Sequence, residues 1–408
     1  MIEKIYECKL PQAERSDEEN NSWEQVRRSR EAQAAALATL KGTDAAAFRN
    51  IIAHMLSTGR NDVFSPCAIY VGLLTLAGFC SGKSKKEILS AVLGTEHRAP
   101  KTIEAIKTCV TGDTQTNDGS LSASVWINDR AALFADAIKD VCQTYGADAF
   151  CGTMGTAEMD AAIQEWVNAR TGNLLARDVG DIKTTKDTVL ELLITTYFKA
   201  KWVNRFWEGN TERETFHTDA QTEVLCDFMK KIEHMECVRT HQFTAVAKKL
   251  FGGYEMWFIR PNDGVNVTDL AGSETLTKLL VHPDRMTKKK MEVTLSIPKF
   301  DVASKVDMKE TMRAMGIKGV FDDQTLPFAE ISADPRLFLS KADHAARVKI
   351  SEEGVEAAAY VDFGMAAGCI PPVLEKMEFK LDKPFFFVIS KDGKLPLYIG
   401  TVADPTAV

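Results

Sequence analysis

The chain has 408 residues, of which 45% are hydrophobic and 26% are charged, and its formal net charge is −7. These values are typical of a soluble globular protein. The acidic balance argues against a nucleic-acid or anionic membrane surface, because such surfaces carry basic patches. No apolar stretch approaches the roughly 18 residues of a transmembrane helix. We therefore predict that neither a nucleic acid nor a membrane is a partner.

The N-terminal residues and the cysteines both bear on cellular location. Residues 1–9 carry acidic side chains and lack the continuous apolar core of a secretory signal. The nine cysteines are an odd number and include no Cys-x-x-Cys motif, which suits reduced thiols. We expect a cytoplasmic protein, with secretion by an unconventional route as the alternative.

Helical patterns dominate the first half of the chain. Residues 1–44 form a polar and then alanine-rich extension, whose composition favours a helix. A larger domain follows over residues 45–408. Apolar spacing within it predicts helices over residues 45–56, 67–76, 84–93, 135–145 and 157–170.

Strand patterns dominate the second half. Residues 189–198 are almost continuously apolar and rich in β-branched side chains, as in a strand buried on both faces. Further strands are predicted within 214–260 and 291–303, with helices near 268–281 and 307–316. The chain ends in two strands around Lys391-Asp392-Gly393-Lys394, which is a hairpin signal. Early helices and late strands indicate a single α+β domain.

The segment from Lys349 to Pro372 combines strand and loop signals. Its odd-numbered residues from Val355 to Met365 are all apolar, and the residues between them are mostly polar or small. That alternation is typical of a strand with one buried face. The flanking Glu352-Glu353-Gly354 and Pro371-Pro372 prefer turns and extended loops. Two interpretations stay open: an ordinary edge strand, and a segment that can be either a strand or a loop.

Two residue patterns resemble sites of chemistry. Gly78-Phe79-Cys80-Ser81-Gly82 has the spacing of a nucleophile elbow with cysteine in place of serine, but a helical pattern rather than a strand leads into it. The set Cys226, His234, Cys237 and His241 contains residue types that bind zinc, but its spacing matches no common zinc framework. We predict that the protein is not an enzyme and has no metal or cofactor.

Nine short motifs together resemble the serpin family over roughly residues 45–405. The first five are Phe64-Ser65-Pro66 with Ile69, Trp166-Val167 before Thr171-Gly172, Tyr197-Phe198-Lys199-Ala200-Lys201-Trp202 before Phe206 and Phe216, Ile297-Pro298-Lys299-Phe300, and Met315-Gly316-Ile317 with Val320-Phe321. The last four are Ser340-Lys341-Ala342-Asp343-His344, the run from Glu352 to Ala359, the run from Phe379 to Phe385, and Gly400-Thr401-Val402-Ala403-Asp404-Pro405. Each motif is weak alone, but they occur in the order that the family has.

The resemblance implies about nine helices around three β-sheets, with a large central sheet A. It also implies that residues 352–376 form an exposed reactive-centre loop. In the family mechanism a protease attacks this loop and forms an acyl-enzyme, and the freed N-terminal part of the loop inserts into sheet A. The uncut protein is then metastable. We expect a monomer that forms a covalent complex with a target serine protease.

The resemblance assigns a hinge at the start of this loop. Its residues are Glu353, Gly354, Val355, Ala357, Ala358 and Ala359. Insertion requires small inward-facing residues at the leading end, and Val355, Ala357 and Ala359 fit. From Val355 to Met365 no proline occurs, and no charge falls on an inward position. Tyr360 is bulkier than the family usually has, but it falls on the outward face.

The resemblance also assigns residues beneath the opening of sheet A. Ser65 and His344 match two members of the family's polar shutter cluster, and Trp202 matches a residue below the hinge. Ala68 and Ile194 stand where the family has a second serine and an asparagine. This departure weakens the polar contacts that hold the sheet shut.

The scissile bond is predicted from two counts. The family's usual spacing from Gly354 gives Gly368–Cys369, whereas counting back from Phe379 gives Ile370 or Pro371. A bond before proline is a poor protease substrate, because proline lacks an amide hydrogen and restricts its neighbour. We therefore predict cleavage between Gly368 and Cys369, within a window from Ala367 to Ile370.

The loop sequence restricts the target protease. No Lys or Arg occurs from Ile350 to Glu375, which argues against a trypsin-like enzyme. Ala366, Ala367 and Gly368 suit an elastase-like pocket, and Phe363 or Met365 suit a chymotrypsin-like one. A cysteine protease stays open as a target, because such enzymes often select residues upstream of the cut. The alternative function is that of a non-inhibitory serpin acting as a chaperone, carrier or storage protein.

Overall fold

The fold was analysed in a computed structural model, which describes residues 2–8, 19–92, 97–111, 117–171, 183–218, 222–355 and 374–407. The helices within these ranges are α1 (Glu19–Thr39), α2 (Gly42–Met55), α3 (Pro66–Phe79), α4 (Gly82–Ala91), α5 (Ala99–Val110), α6 (Ala135–Tyr145), α7 (Ala157–Arg170), α8 (Val267–Ala271), α9 (Glu274–Val281) and α10 (Lys309–Ala314). Among the described residues, no helix is both long enough and apolar enough to cross a membrane.

The strands occur mostly after α7. They are β1 (Glu3–Tyr6), β2 (Asp62–Phe64), β3 (Asn117–Asn128), β4 (Asp148–Gly152), β5 (Leu190–Lys201), β6 (Thr211–His217), β7 (Glu223–Arg239), β8 (Phe243–Leu250), β9 (Tyr254–Pro261), β10 (Lys289–Pro298), β11 (Asp301–Asp307), β12 (Leu339–Lys349), β13 (Gly354–Val355), β14 (Lys376–Lys380), β15 (Phe385–Lys391) and β16 (Leu395–Val402). The α+β class predicted from the sequence is confirmed.

The described strands form two hydrogen-bonded sheets. Sheet A has the order β1-β4-β3-β5-β12-β11, with β13 also paired to β5. Sheet B has the order β14-β10-β7-β8-β9-β15-β16-β2, with β6 paired to β7. The resemblance implies three sheets. Here β7 has 17 residues and β10 pairs with it over its whole length, so the two smaller sheets join into one.

Helix α3 lies between the two sheets. Every residue from Pro66 to Phe79 is buried, and the helix contacts β5 of sheet A and β16 of sheet B. A helix that is apolar on all sides must be surrounded by protein. Ser65 caps its N-terminus by accepting a hydrogen bond from the Ala68 amide at 3.2 Å. The centre of sheet A packs on this helix.

The N-terminal extension packs on the domain. Strand β1 pairs antiparallel with β4 and is the outermost strand of sheet A. Helix α1 packs on α5, where the Gln33 side chain donates to the Thr111 carbonyl oxygen at 2.6 Å. The helix was predicted, but β1 was not, because its four residues are too few to show an alternation.

Candidate functional site

Sheet A is parted between its two central strands. Strands β5 and β12 are paired from Leu190–Leu339 to Thr195–Ala345, but β5 continues to Lys201 and β12 to Lys349. At the far end Gly354 and Val355 pair antiparallel with Lys201 and Ala200, and Val355 also bridges to Ile350. Among the described residues, no strand lies on this side of β5 between Thr196 and Lys199. We call this stretch the opening.

The backbone at Gly354 approaches β5 closely. A Cβ atom at this position would lie 2.2 Å from the Ala200 carbonyl oxygen and 2.8 Å from the Lys201 Cα. Both are backbone atoms and cannot move aside as a flexible side chain can. Glycine is therefore required for the chain to begin pairing here. Val355 follows with only 2% of its surface exposed.

Glu352 fixes the chain just before the hinge. Its Oε1 accepts hydrogen bonds from the Thr211 hydroxyl at 2.7 Å and from Lys299 Nζ at 2.7 Å. Its carbonyl oxygen accepts from the Phe206 amide at 3.0 Å. Burial opposes ionisation of this carboxyl, but the hydrogen bonds from Lys299 and Thr211 outweigh it and hold the pKa of Glu352 below its usual value.

Trp202 lies at the end of β5 and holds the same turn. Its indole N–H donates to the Ser351 carbonyl oxygen at 2.9 Å, and its amide donates to the Glu353 carbonyl oxygen at 3.0 Å. The Lys248 ammonium lies 5.5 Å from the centre of the indole ring. Burial lowers the pKa of Lys248 to about 8. The base of the loop is thus fixed by both side-chain and backbone bonds.

Ser65 and His344 meet beneath the middle of sheet A. The Ser65 amide donates to His344 Nε2 at 3.0 Å, so Nδ1 carries the ring proton in the neutral imidazole. His344 is 1% exposed, and this burial lowers its pKa to about 4. The side chain is therefore uncharged near neutral pH.

Ile194 makes this shutter mostly apolar. It pairs with His344 across β5 and β12, and its side chain lies over α3 at Gly72. A Cβ atom at Gly72 would come within 2.1 Å of Ile194 Cδ1. Where the resemblance implies a polar cluster, this chain packs an isoleucine against a glycine. Only the Ser65–His344 hydrogen bond is kept from the expected polar set.

The structure brings the predicted site residues into two groups along the opening. Glu353, Gly354, Val355 and Trp202 lie at its upper end, and Ser65 and His344 lie beneath its centre. The other predicted residues lie outside the described part of the chain: Ala357, Ala358 and Ala359 of the hinge, and Ala367, Gly368, Cys369 and Ile370 at the reactive bond.

Several residues of the site were missed from the sequence. The partners of Glu352, Lys299 and Thr211, lie far away in the chain and are brought near by strand pairing. Lys299 belongs to a motif that carried the family resemblance, but the motif did not indicate its partner. Gly72 gave no signal at all, because a glycine inside an apolar helix does not indicate which side chain packs on it.

The two patterns that resemble chemical sites do not form such sites in the described structure. Cys80 ends α3, where it is fully buried, and burial raises the pKa of its thiol, so it does not ionise as a nucleophile must. Among the described residues, no three His, Cys, Asp or Glu side chains lie close enough to hold a metal ion. The four residues Cys226, His234, Cys237 and His241 therefore do not form a metal site in the described structure.

The described residues define an α+β protein with a large sheet that is parted at one end, where the two residues of β13 pair with β5. The family model described as serpin (serine protease inhibitor) matches residues 45–405. The chain therefore belongs to the serpin family, whose members are mainly protease inhibitors rather than catalysts.

Similar sequences have inhibitor names. A serine protease inhibitor of Cyanea capillata is 26% identical over 359 residues, which cover 85% of this chain and 93% of the relative. An alpha-1-antitrypsin-like protein of Tamias sibiricus is 28% identical over 377 residues, which cover 89% of this chain and 87% of the relative.

Solved structures support the fold. The thermophilic serpin tengpin in the native state superposes with a TM-score of 0.78 at 19% identity, over 89% of this chain and 93% of that one. The AtSerpin1 structure of Arabidopsis, in the native stressed conformation, gives 0.75 at 21% identity, over 94% and 99%.

Proposed function

We propose that this protein is a suicide-substrate inhibitor of a serine endopeptidase with an elastase-like or chymotrypsin-like pocket. The observation that carries the proposal is the register of β13. Gly354 pairs with Lys201 and Val355 with Ala200, so a strand continuing from Val355 would move one residue back along β5 at each step. The bridge between Val355 and Ile350 gives the same step along β12.

The two registers agree with each other. Counting along β5, Val361 would lie opposite Ile194, and counting along β12 it would lie opposite His344. Ile194 and His344 are already partners in the closed sheet. A strand that separated β5 and β12 would therefore meet both in one consistent register. A loop that never pairs with sheet A would not be expected to match the registers of both β5 and β12.

The side-chain pattern also suits insertion. The odd-numbered loop residues would share a face with Ala200, Phe198 and Thr196 of β5 and with Val348 and Ala346 of β12, all of which are buried. That is the face towards α3, and the odd-numbered residues of the loop are the apolar ones. On the other face Glu356 would lie between Lys199 and Lys349, where opposite charges favour pairing.

In the proposed mechanism the protease supplies the nucleophile and this chain supplies the trap. Attack on the Gly368 carbonyl breaks the bond to Cys369, whose amine leaves with a proton, and Gly368 becomes an ester of the protease. The freed residues then insert between β5 and β12. About 15 residues at about 3.3 Å each would carry the protease about 50 Å. There the acyl bond is hydrolysed slowly, because the protease active site is distorted.

The test is a panel of elastase-like, chymotrypsin-like and trypsin-like serine proteases together with cysteine proteases. We expect a covalent complex that survives denaturing electrophoresis with one of the first two classes. Mass spectrometry should show that the released C-terminal fragment begins at Cys369. Clean cleavage without a complex by every protease in the panel would overturn the proposal, and a complex only with a cysteine protease would change the target class.

A pair of adjacent substitutions tests the register itself. Ala357→Glu would place a charge on the face towards α3 and should convert the inhibitor into a substrate. Ala358→Glu would place the same charge on the other face, opposite Arg347, and should leave complex formation nearly unchanged. Equal effects of the two variants would contradict the proposed register.

One observation favours a second candidate, a non-inhibitory serpin acting as a carrier, chaperone or storage protein. In the register of β13, Tyr360 would lie between Thr195 and Ala345, which are 3% and 7% exposed. Ala345 packs in an apolar cluster with Trp166 of α7. The outward face is therefore covered by α7 at this level, and Tyr360 would have to displace it. Loop cleavage without any rise in Tm would support this second function.

A further inference from the structure

Two side chains at the start of β12 hold β5 at the closed end of sheet A. The Ser340 hydroxyl donates to the Leu190 carbonyl oxygen at 3.0 Å and accepts from the Val189 amide at 3.0 Å. The next residue, Lys341, makes an ion pair with Glu191 at 2.7 Å between Nζ and Oε1. These contacts lie below the opening, where β5 and β12 are still paired.

The carboxylate of this ion pair is buried, and its lysine is partly buried. The Glu191 side chain is 0% exposed and that of Lys341 is 22% exposed. Asp343 lies 3.1 Å from Lys341 Nζ, and Lys305 of β11 lies 3.8 Å from Asp343. On its other side Glu191 faces Trp126 of β3, which pairs with it in register. A charged pair between the two central strands of sheet A is unusual, because buried charges cost free energy unless they are paired.

We infer that the Glu191–Lys341 ion pair, with Ser340 beside it, is a latch that sets the rate at which β5 and β12 separate. The inference rests on the proposed function, because the separation matters only if sheet A accepts a strand. Within that function, Glu191 and Lys341 are residues that act on insertion without contacting the protease.

The strand spacing gives the physical reason. Neighbouring strands lie about 4.8 Å apart, so an added strand moves β5 and β12 to about 9.6 Å. The present ion-pair contact is lost in that movement or survives only with both side chains extended over the new strand. Separating two charges inside a protein is costly because the surroundings screen them poorly. The cost arises while the sheet opens, before new strand pairs form.

The composition of the shutter makes this latch important. At the centre of sheet A the packing of Ile194 on Gly72 is apolar and imposes no bonding geometry. By contrast, the Ser340 hydroxyl bonds the backbone of residues 189 and 190, and the Lys341 ammonium bonds the Glu191 side chain, in directional contacts. Burial raises the pKa of Glu191 although Lys341 lies beside it, whereas Glu191 and Asp343 raise the pKa of Lys341 against the effect of its burial. The two shifts have opposite effects on stability near neutral pH, so the ion pair adds little to equilibrium stability. Its main effect is on the rate of opening.

The same sheet contains a matched control. Asp301 of β11 and Arg347 of β12 form a two-bond ion pair, with both distances 2.7 Å. Their side chains are 20% and 15% exposed. This pair joins β12 to β11, which are paired on the side away from the opening. An added strand would enter between β5 and β12, so the proposed insertion leaves the pairing of β11 with β12 in place. Removing it changes a carboxylate–cation pair of the same strand without touching the latch.

The experiment measures the uptake of a fluorescent synthetic peptide with the sequence of residues 355–366, followed by native electrophoresis, without any protease. The variants are Glu191→Gln, Lys341→Met, the double variant, and Asp301→Asn as the control. We expect Glu191→Gln to take up the peptide about tenfold faster than the unchanged protein. Asp301→Asn should match the unchanged protein. The double variant should be no faster than the quicker single variant, because both changes break one contact.

Equilibrium unfolding in urea separates a rate effect from a general loss of structure. The latch predicts faster uptake in Glu191→Gln with a midpoint close to that of the unchanged protein. Equal uptake rates in Glu191→Gln and Asp301→Asn, including no uptake by either, would overturn the inference. A variant that takes up the peptide faster, while the unchanged protein traps no protease in the panel above, would support the latch and overturn the proposed function instead.

Discussion

In sheet B the strands β15 and β16 are paired on both sides, whereas sheet A is parted between its two central strands. In sheet B every residue of β15 and β16 is buried, and both strands have partners on each side. In sheet A, the pairing between β5 and β12 ends at Thr195 and Ala345. Helix α3 contacts both sheets. In the proposed mechanism sheet B and α3 form a fixed frame, against which sheet A gains a strand.

Substitutions in sheet B should lower the free energy of unfolding more than substitutions in sheet A. Gly400 of β16 lies against Phe387 of β15 and β2, and an added Cβ atom would lie 2.5 Å from the Phe387 ring and 2.6 Å from the Asp62 carbonyl oxygen. Because the second contact is backbone, Gly400→Ala should lower the free energy of unfolding by about 3 kcal/mol or prevent folding. Urea unfolding measures the change. A loss below about 1 kcal/mol would show that sheet B adjusts as easily as sheet A.

The centre of sheet A should lose stability in acid. The pKa of His344 is about 4 in the folded protein against an ordinary 6.5, so the unfolded chain binds the proton first as pH falls. The contribution is complete above about pH 6.5 and is lost between about 6.5 and 4, to a total of about 3 kcal/mol. Unfolding free energies measured across this range, for the unchanged protein and for His344→Gln, isolate the histidine.

Glutamine can still accept the Ser65 amide, so the variant should fold. Carboxylates elsewhere also titrate towards the acid end of this window, and the subtraction removes their effect. If both proteins lose stability in parallel, His344 does not titrate as its burial implies.

The hinge allows a comparison of two ion pairs on adjacent residues. The Glu352 side chain is 8% exposed and bonds Lys299, whereas Glu353 is 31% exposed and bonds Arg205 at 2.7 Å. Lys299→Met should cost about 2 kcal/mol, because it leaves a buried carboxylate without its cation. Arg205→Met should cost less than about 0.5 kcal/mol. Urea unfolding of the two variants side by side measures both, and equal costs would contradict the assignment of Glu352 as the fixed point.

The sequence predicted the parts of this molecule that depend on local pattern. Long periodic segments such as α7 and β5 were recognised near their true bounds. The hinge, which begins at Glu353, was assigned by the serpin resemblance and not by local pattern alone. The Glu352–Lys299 pair was not predictable, since contacts between distant segments depend on strand register. That Tyr360 faces outward stays a prediction. The contact of Ala345 with the cluster that contains Trp166 of α7 was not predictable, because a strand's own pattern does not indicate which helix crosses it.

The smallest predicted effect lies where sheet A rests on the frame. Gly72→Ala brings a methyl group within 2.1 Å of Ile194 Cδ1, but that atom is the end of a flexible side chain, so the cost should be only about 1 kcal/mol. Ile194→Ala removes the contact and leaves a cavity. The double variant should therefore be more stable than the sum of the single changes predicts, by about 1 kcal/mol in a double-mutant cycle of urea unfolding. Additive costs would show that the Ile194 side chain moves aside freely. The packing of sheet A on α3 would then be less rigid than we infer from its comparison with the packing around Gly400.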